Sequence, residues 1–312
     1  MSKIGFVFPG QGSQKLGMLA ELAQQFDTVK NTFAEASEAL GKDLWEICQT
    51  DQNEQLNQTD ITQPALLAAS VAIWRVWQER GGAQPTILAG HSLGEYSALV
   101  CSGVLGFADA VQLVNQRGLF MQAAVAAGTG KMAAIVGLDD DKIAALCEQA
   151  SEGQVVSPAN YNSTGQTVIA GEVDAVERAM ALCKEAGAKR ALPLNVSVPS
   201  HCALMKPASE QLQTALDAIA FNSPQIPVVQ NVNAQTCEDP DLIKQNLIKQ
   251  LYEPVLWVDS VKFMRAEGVE KLLECGPGKV LSGLIRRIEP DIDCFASEEP
   301  EALATAISEF SS

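Results

Sequence analysis

Two residues have the types and spacing needed for covalent chemistry. Ser92 sits at the centre of Gly90-His91-Ser92-Leu93-Gly94, the G-x-S-x-G form of a nucleophile elbow, and His201 lies far downstream in Val198-Pro199-Ser200-His201-Cys202. A serine nucleophile needs a base that titrates near neutral pH, and histidine is the usual one. The chain of 312 residues has only two histidines, so the candidates are few. His91 is held beside the serine in sequence, which usually points it away from the hydroxyl, whereas His201 is free to return across the fold. Paired, Ser92 and His201 would carry out acyl transfer. The plain alternatives are a serine at an ordinary strand–helix turn and a buried histidine satisfied by backbone.

Other residues could complete such a site. An elbow presents its hydroxyl at a helix N-terminus, where unpaired N–H groups favour developing negative charge, and the N–H of Leu93 is a natural oxyanion donor. Gln11, in the turn Gly10-Gln11-Gly12, completes neither G-x-G-x-x-G nor G-K-[ST], so a backbone N–H offered to an oxyanion is the better use of it. From Gly106 to Gly128 the only charged residues are Asp109 and Arg117. Ala110, Val114, Arg117 and Met121 recur at helical spacing, which sets the guanidinium on an apolar face. A buried arginine needs an anion. That anion is either an internal Asp or Glu or a substrate carboxylate gripped bidentately.

The elements that must position these residues are legible as an α/β pattern. Ile4 to Phe8 reads as a buried strand ending in Pro9-Gly10-Gln11-Gly12. Gln63 to Gln78 reads as a long helix with Pro64 near its start, broken by Gly81-Gly82. Thr86 to Ala89 is a second strand, leading into the elbow, and Glu95 to Val100 opens the helix after it, which is the context G-x-S-x-G requires. Phe107 to Ala127 is a further helix. From 130 to 197 the order becomes β-α-β-β-α-β, a ferredoxin-like unit inserted between two parts, 1–129 and 198–312, of a large α/β domain. After Pro199 come a helix from Ala203, a strand near Val228, helices near 241–251 and 257–266, and the strand Val269 to Glu274. A Gly276-Pro277-Gly278 turn then leads into a helix, and a short helix occupies the last dozen residues.

Bulk properties narrow the partners. At 47% hydrophobic the chain can bury one large core and a satellite domain. A net charge of −16 disfavours nucleic acid. Of the 22 Lys and Arg, seven lie before residue 131 and fifteen after, so an anionic ligand or partner should dock on the later part. The eight cysteines form no C-x-x-C and no metal-type cluster with the histidines, so no metal is expected. The N-terminus does not read as a signal peptide, and the longest apolar run, Pro64 to Trp74, falls short of a membrane span. A soluble, reduced, cytoplasmic protein without membrane contact is expected.

Phe8-Pro9-Gly10-Gln11-Gly12-Ser13-Gln14, Gly90-His91-Ser92-Leu93-Gly94-Glu95, Gln116-Arg117-Gly118 and Pro199-Ser200-His201 stand in one order and spacing. With Asn160-Tyr161-Asn162-Ser163, Gln166 and Gly276-Pro277-Gly278, they closely resemble the bacterial malonyl-CoA:acyl carrier protein transacylases, the FabD family, from about residue 3 to past 285. The resemblance implies an α/β-hydrolase-like large domain with a parallel sheet. It implies that Ser92 takes malonyl from malonyl-CoA, that His201 is its base, and that Arg117 pairs with the free malonyl carboxylate. Gln11 and Leu93 match the oxyanion donors, and Gln250 matches the residue whose carbonyl oxygen orients the histidine. Gln63 matches a polar residue lining the site, and Asn162 and Gln166 match residues near the cleft. No cofactor is implied, and a monomer is expected.

Three expectations follow from that resemblance. A neutral carbonyl behind His201 would stabilise imidazolium less than a carboxylate does, so Gln250→Glu should raise thioester hydrolysis. Ser200 is usual in the fatty-acid enzymes, whereas related polyketide acyltransferases that accept methylmalonyl also carry serine there, so malonyl is the expected substrate without exclusion of methylmalonyl. The family's carrier protein is acidic, so docking needs a local basic patch, for which Lys189, Arg190, Lys206, Lys279, Arg286 and Arg287 are candidates. A serine esterase or thioesterase, which would place an acidic triad member between serine and histidine, and a non-enzymatic binding module are the competing readings.

Overall fold

The computed structural model describes residues 3–196 and 198–311. The expected boundary residue Ser197 lies outside them. The first stretch holds β1 (Lys3–Phe8), α1 (Ala20–Gln25), α2 (Asp27–Leu40), α3 (Leu44–Gln49), α4 (Thr59–Glu79), β2 (Ile87–Gly90), α5 (Leu93–Cys101) and α6 (Phe107–Ala123). The middle holds β3 (Gly130–Val136), α7 (Asp140–Ser151), β4 (Val156–Ser163), β5 (Gln166–Glu172), α8 (Val173–Glu185) and β6 (Arg190–Pro193). The last stretch holds α9 (Lys206–Asp217), β7 (Val228–Val229), α10 (Pro240–Gln250), α11 (Trp257–Ala266), β8 (Val269–Glu274), α12 (Val280–Ile288), β9 (Asp293–Ala296) and α13 (Pro300–Phe310).

Five strands form a parallel sheet in the order β7-β2-β1-β8-β9. A central strand buried on both faces reads as a continuous apolar run rather than an alternating one, and Ile4-Gly5-Phe6-Val7-Phe8 is such a run. Phe6 and Phe8 enter the core built around α4, while Val7 joins a second core with Trp257 and Leu272 on the other face. Phe6 packs edge-on against Trp77 of α4 at 5.0 Å and against Phe310 of α13 at 6.3 Å. The terminal helix thus belongs to the large core. The chain enters α5 from β2 and the Gly276 turn from β8, so the reactive loops gather at the carboxyl ends of the strands, the usual ligand side of such sheets.

Strands β3 to β6 form an antiparallel sheet in the order β4-β5-β3-β6. Alternation along β3 decides what each face meets. Ala133 and Ile135 pack under α7 and α8, whereas Met132 joins Val168, Ala170 and Cys202 on the opposite face, toward the large core. Main-chain hydrogen bonds between Tyr161, Ala159 and Val255 stitch β4 to the segment before α11.

The structure changes some sequence expectations. Helix α4 begins at Thr59, so Pro64 lies inside it rather than at its start. The missing N–H of Pro64 leaves the carbonyl of Asp60 without its helical donor, and Asn115 Nδ2 of α6 supplies one at 2.7 Å. Strand β6 ends at Pro193, and α6 ends at Ala123, short of the expected Ala127. Strand β9 has no counterpart in the sequence reading, because its residues (Asp293, Cys294, Phe295, Ala296) show little alternation.

Gly118 sets how closely α6 approaches α4. A Cβ there would stand 2.6 Å from the Asp60 Cα, a backbone atom that cannot swing aside. Gly118→Ala is therefore expected to push α6 outward and cost about 1–3 kcal/mol, as overpacking does. Thermal unfolding measures this, and an unchanged Tm would show that the helices can separate freely.

Candidate active site

Ser92 stands between β2 and α5 with φ 51° and ψ −108°, the strained turn an elbow demands. Asn231 fixes it from below: its Oδ1 accepts from the Ser92 N–H at 2.7 Å and its Nδ2 donates to the Gly90 carbonyl at 2.6 Å. The hydroxyl lies 2.8 Å from His201 Nε2. His201 also has a positive φ, 62°, and its N–H donates to the Leu251 carbonyl at 3.0 Å. Its Nδ1 lies 2.7 Å from the main-chain oxygen of Gln250. A carbonyl only accepts, so Nδ1 carries the proton and Nε2 presents its lone pair to the Ser92 hydroxyl. The distant imidazole and the elbow hydroxyl meet in the arrangement a nucleophile and its base require.

The carbonyl behind His201 is a main-chain atom, which corrects one expectation. Exchanging the Gln250 side chain for Glu leaves that oxygen in place, so Gln250→Glu does not probe imidazolium stabilisation. The side chain has other partners. Its Oε1 accepts from Arg117 Nη2 at 3.0 Å, and its Nε2 donates to Glu95 Oε2 at 2.8 Å and to the Ser92 carbonyl at 3.0 Å.

Arg117 is 1% exposed. Among the described residues no carboxylate lies within salt-bridge distance of it. Nη1 donates to Gln63 Oε1 at 2.7 Å, Nη2 reaches Ser92 Oγ at 3.4 Å, and the guanidinium lies over the Tyr96 ring at 5.3 Å. Its Nε is buried without an acceptor among the described residues. The internal ion pair allowed by the sequence is thus absent there. Gln63 is fully buried and meets the site through Arg117, so it backs the guanidinium rather than lining the cavity.

A cavity of about 200 Å³ opens over these groups. Gln11 and Leu93 line it with Ser92, His201 and Arg117, and among the described residues neither has an acceptor for its main-chain N–H. Met132 and Val168 of the antiparallel sheet, with Met121 and Val198, form an apolar wall, and Ser200 also faces the space. Asn162 and His91 line it too, Asn162 Oδ1 lying 2.7 Å from His91 Nε2, so the His91 ring is hydrogen-bonded to Asn162 while His201 meets the Ser92 hydroxyl. Gln166 is not on the wall; at the start of β5 it accepts from Arg287 Nη1 at 2.7 Å. Lys189, Arg190, Lys206, Lys279, Arg286 and Arg287 are all exposed. Sequence reasoning assigned nothing to Asn231 or to Glu95, a carboxylate 1% exposed and hidden in the quoted Gly94-Glu95. Among the described residues no group of three His, Cys, Asp or Glu is placed to hold a metal ion, and no helix is long and apolar enough to cross a membrane.

A hydroxyl and an imidazole in hydrogen-bond contact, beside a buried guanidinium at the strand ends of an α/β fold, have the arrangement of a serine acyltransferase. The acyl transferase domain family matches residues 5–287. The malonyl CoA-acyl carrier protein transacylase of Salmonella typhimurium is 60% identical over 309 residues, covering 99% of this chain and 100% of the relative. That of Escherichia coli K12 is 61% identical over 307 residues, covering 98% and 99%. A crystal structure of an acyl carrier protein S-malonyltransferase from Vibrio cholerae superposes with a TM-score of 0.96 at 62% identity, over 97% of this chain and 99% of that one. A malonyl-transacylase solved in complex with its type II PKS acyl-carrier protein gives 0.98 at 56%, over 99% and 100%. The chain belongs to the acyl transferase family, among the malonyl CoA-acyl carrier protein transacylases.

Burial, and then the nearby Arg117 charge, push His201 down from 6.5 to about 3. A base with so low a pKa stays neutral, and able to accept the serine proton, well below the usual histidine range. Single-turnover acylation of Ser92 should accordingly keep its rate from about pH 8 down to about pH 5. A half-loss near the ordinary histidine value would show that the imidazole titrates as if exposed.

Proposed function

We propose that this chain moves the malonyl group from malonyl-CoA to the phosphopantetheine thiol of an acyl carrier protein through a malonyl-Ser92 ester, supplying fatty acid synthesis. One observation carries the reading: Ser92 Oγ lies 2.8 Å from His201 Nε2 and 3.4 Å from a buried arginine that has no internal carboxylate among the described residues. His201 takes the hydroxyl proton as Oγ attacks the thioester carbonyl. The N–H groups of Gln11 and Leu93 hold the oxyanion, and Arg117 receives the distal carboxylate. Collapse expels CoA as its thiol, protonated by His201. In the second half-reaction His201 deprotonates the carrier thiol, which displaces Ser92 and leaves with the malonyl group. Gln250 orients His201 through its main-chain oxygen, and Asn162 and Gln63 support the cleft and the guanidinium. No metal or organic cofactor takes part.

The acidic carrier protein would meet the exposed cations Lys189, Arg190, Lys206, Lys279, Arg286 and Arg287. Arg287 also holds Gln166, which ties that patch to the antiparallel sheet. We read residues 130–197 as a ferredoxin-like small domain, a reading supported by the strand order β4-β5-β3-β6 with two helices on one face. Residues 1–129 and 198–312 form the α/β-hydrolase-like large domain. The protein acts as a monomer in the cytoplasm.

Adding malonyl-CoA should leave a malonyl adduct on Ser92, visible by intact-protein mass spectrometry and lost in Ser92→Ala. In Arg117→Ala the acylation rate should fall roughly 100-fold, as expected when charge-assisted hydrogen bonds to a carboxylate are removed. No adduct on the unmodified protein would reject the reading. Charge reversal of Arg286 and Arg287 to Glu should raise the KM for carrier protein and spare that for malonyl-CoA; equal effects on both would reject the patch.

A further inference from the structure

Glu95 is a buried carboxylate beside the site that the proposed chemistry leaves unused. It leaves the first turn of α5, three residues after Ser92, and points inward rather than to solvent. Its Oε2 accepts from the Asn231 N–H at 3.0 Å and from Gln250 Nε2 at 2.8 Å. The Gln250 amide therefore lies between opposite charges, with nitrogen toward the Glu95 carboxylate and oxygen toward Arg117. Only this orientation satisfies both neighbours. Flipped, the amide would aim its N–H₂ at a guanidinium and its oxygen at a carboxylate.

We propose that Glu95 is a positioning residue for acyl selectivity: through the Gln250 amide it fixes where the Arg117 guanidinium waits for a carboxylate-bearing acyl group. The inference rests on the malonyl-transfer reading and adds a group that touches no substrate. Gln250 and Gln63 hold the guanidinium by its two Nη atoms, and Nη2 also stands 3.4 Å from Ser92 Oγ on the cavity side, where an incoming anion would meet it. If the carboxylate is lost, Gln250 Nε2 keeps only the Ser92 carbonyl at 3.0 Å and a 3.5 Å contact with Asn231 Oδ1, so its amide is held less firmly and the position of Arg117 is less closely fixed. Burial raises Glu95 to about 7, which weakens its hold in acid but leaves the oxygen an acceptor in either state.

Because Asn231 links the same carboxylate to the elbow, substitution also disturbs Ser92, and that disturbance slows every acyl donor alike. The ratio of rates separates the two effects. Single-turnover acylation of the full-length enzyme by malonyl-CoA and by acetyl-CoA, followed by mass spectrometry, gives that ratio. In Glu95→Ala the malonyl preference should drop by about tenfold or more, the loss expected when a hydrogen bond to a charged group goes. Glu95→Gln retains one oxygen acceptor and should fall between alanine and wild type. Equal slowing of both donors, with the preference preserved, overturns the proposal. Should the alanine variant fail to fold, a wild-type ratio in Glu95→Gln overturns it alone. Failure of the unmodified protein to form a malonyl adduct would instead remove the reading beneath it.

Discussion

A guanidinium enclosed with no carboxylate of the described residues in salt-bridge contact, the nearby Glu95 standing one amide away across Gln250, is the constraint around which this site is organised. Taking arginine out of water is costly unless its donors are met, and two neutral amides, Gln63 and Gln250, meet the two Nη atoms together with the face of Tyr96, while Nε stays without an acceptor among the described residues. Neutral acceptors satisfy hydrogen bonds without cancelling the guanidinium charge. That charge also bears on the base: after burial, it is the next influence that keeps His201 neutral and its imidazole lone pair available.

The geometry depends on main-chain strain held in place by packing. Ser92 and His201 both adopt positive φ, which non-glycine residues seldom do. Asn231 anchors the first through two hydrogen bonds, and the main-chain oxygens of Gln250 and Leu251 anchor the second. The C-terminal end of α10 thus supplies the histidine's orientation, the guanidinium's partner and the carboxylate's partner from adjacent atoms. A shift of that helix end would disturb all three.

Much of this was legible in the sequence, for identifiable reasons. The elbow announces itself because the turn tolerates few residues, and the two-histidine composition left His201 as the only free base. The lone cation among apolar residues from 106 to 128 exposed Arg117. Strand–helix alternation and the antiparallel insert follow from local periodicity. What local pattern could not carry was long-range. The Asn231 clamp, the backing role of Gln63 and the main-chain origin of the Gln250 acceptor arise only when segments far apart in sequence meet. Pro64 misled because its lost hydrogen bond is repaired by Asn115 on another helix. The contact of Gln166 with Arg287, 121 residues away in sequence, was equally out of reach of local pattern.

The apolar wall has a consequence of its own. Met132 and Val168 belong to the antiparallel sheet, whereas Ser92, His201, Arg117 and both candidate oxyanion donors belong to the segments on either side of it. Part of the wall thus stands on a different sheet from the reacting atoms, and Met121 and Val198 complete it from their own side. A change of size at Met132 or Val168 alters the room above Ser92 from a strand that carries none of the reacting atoms.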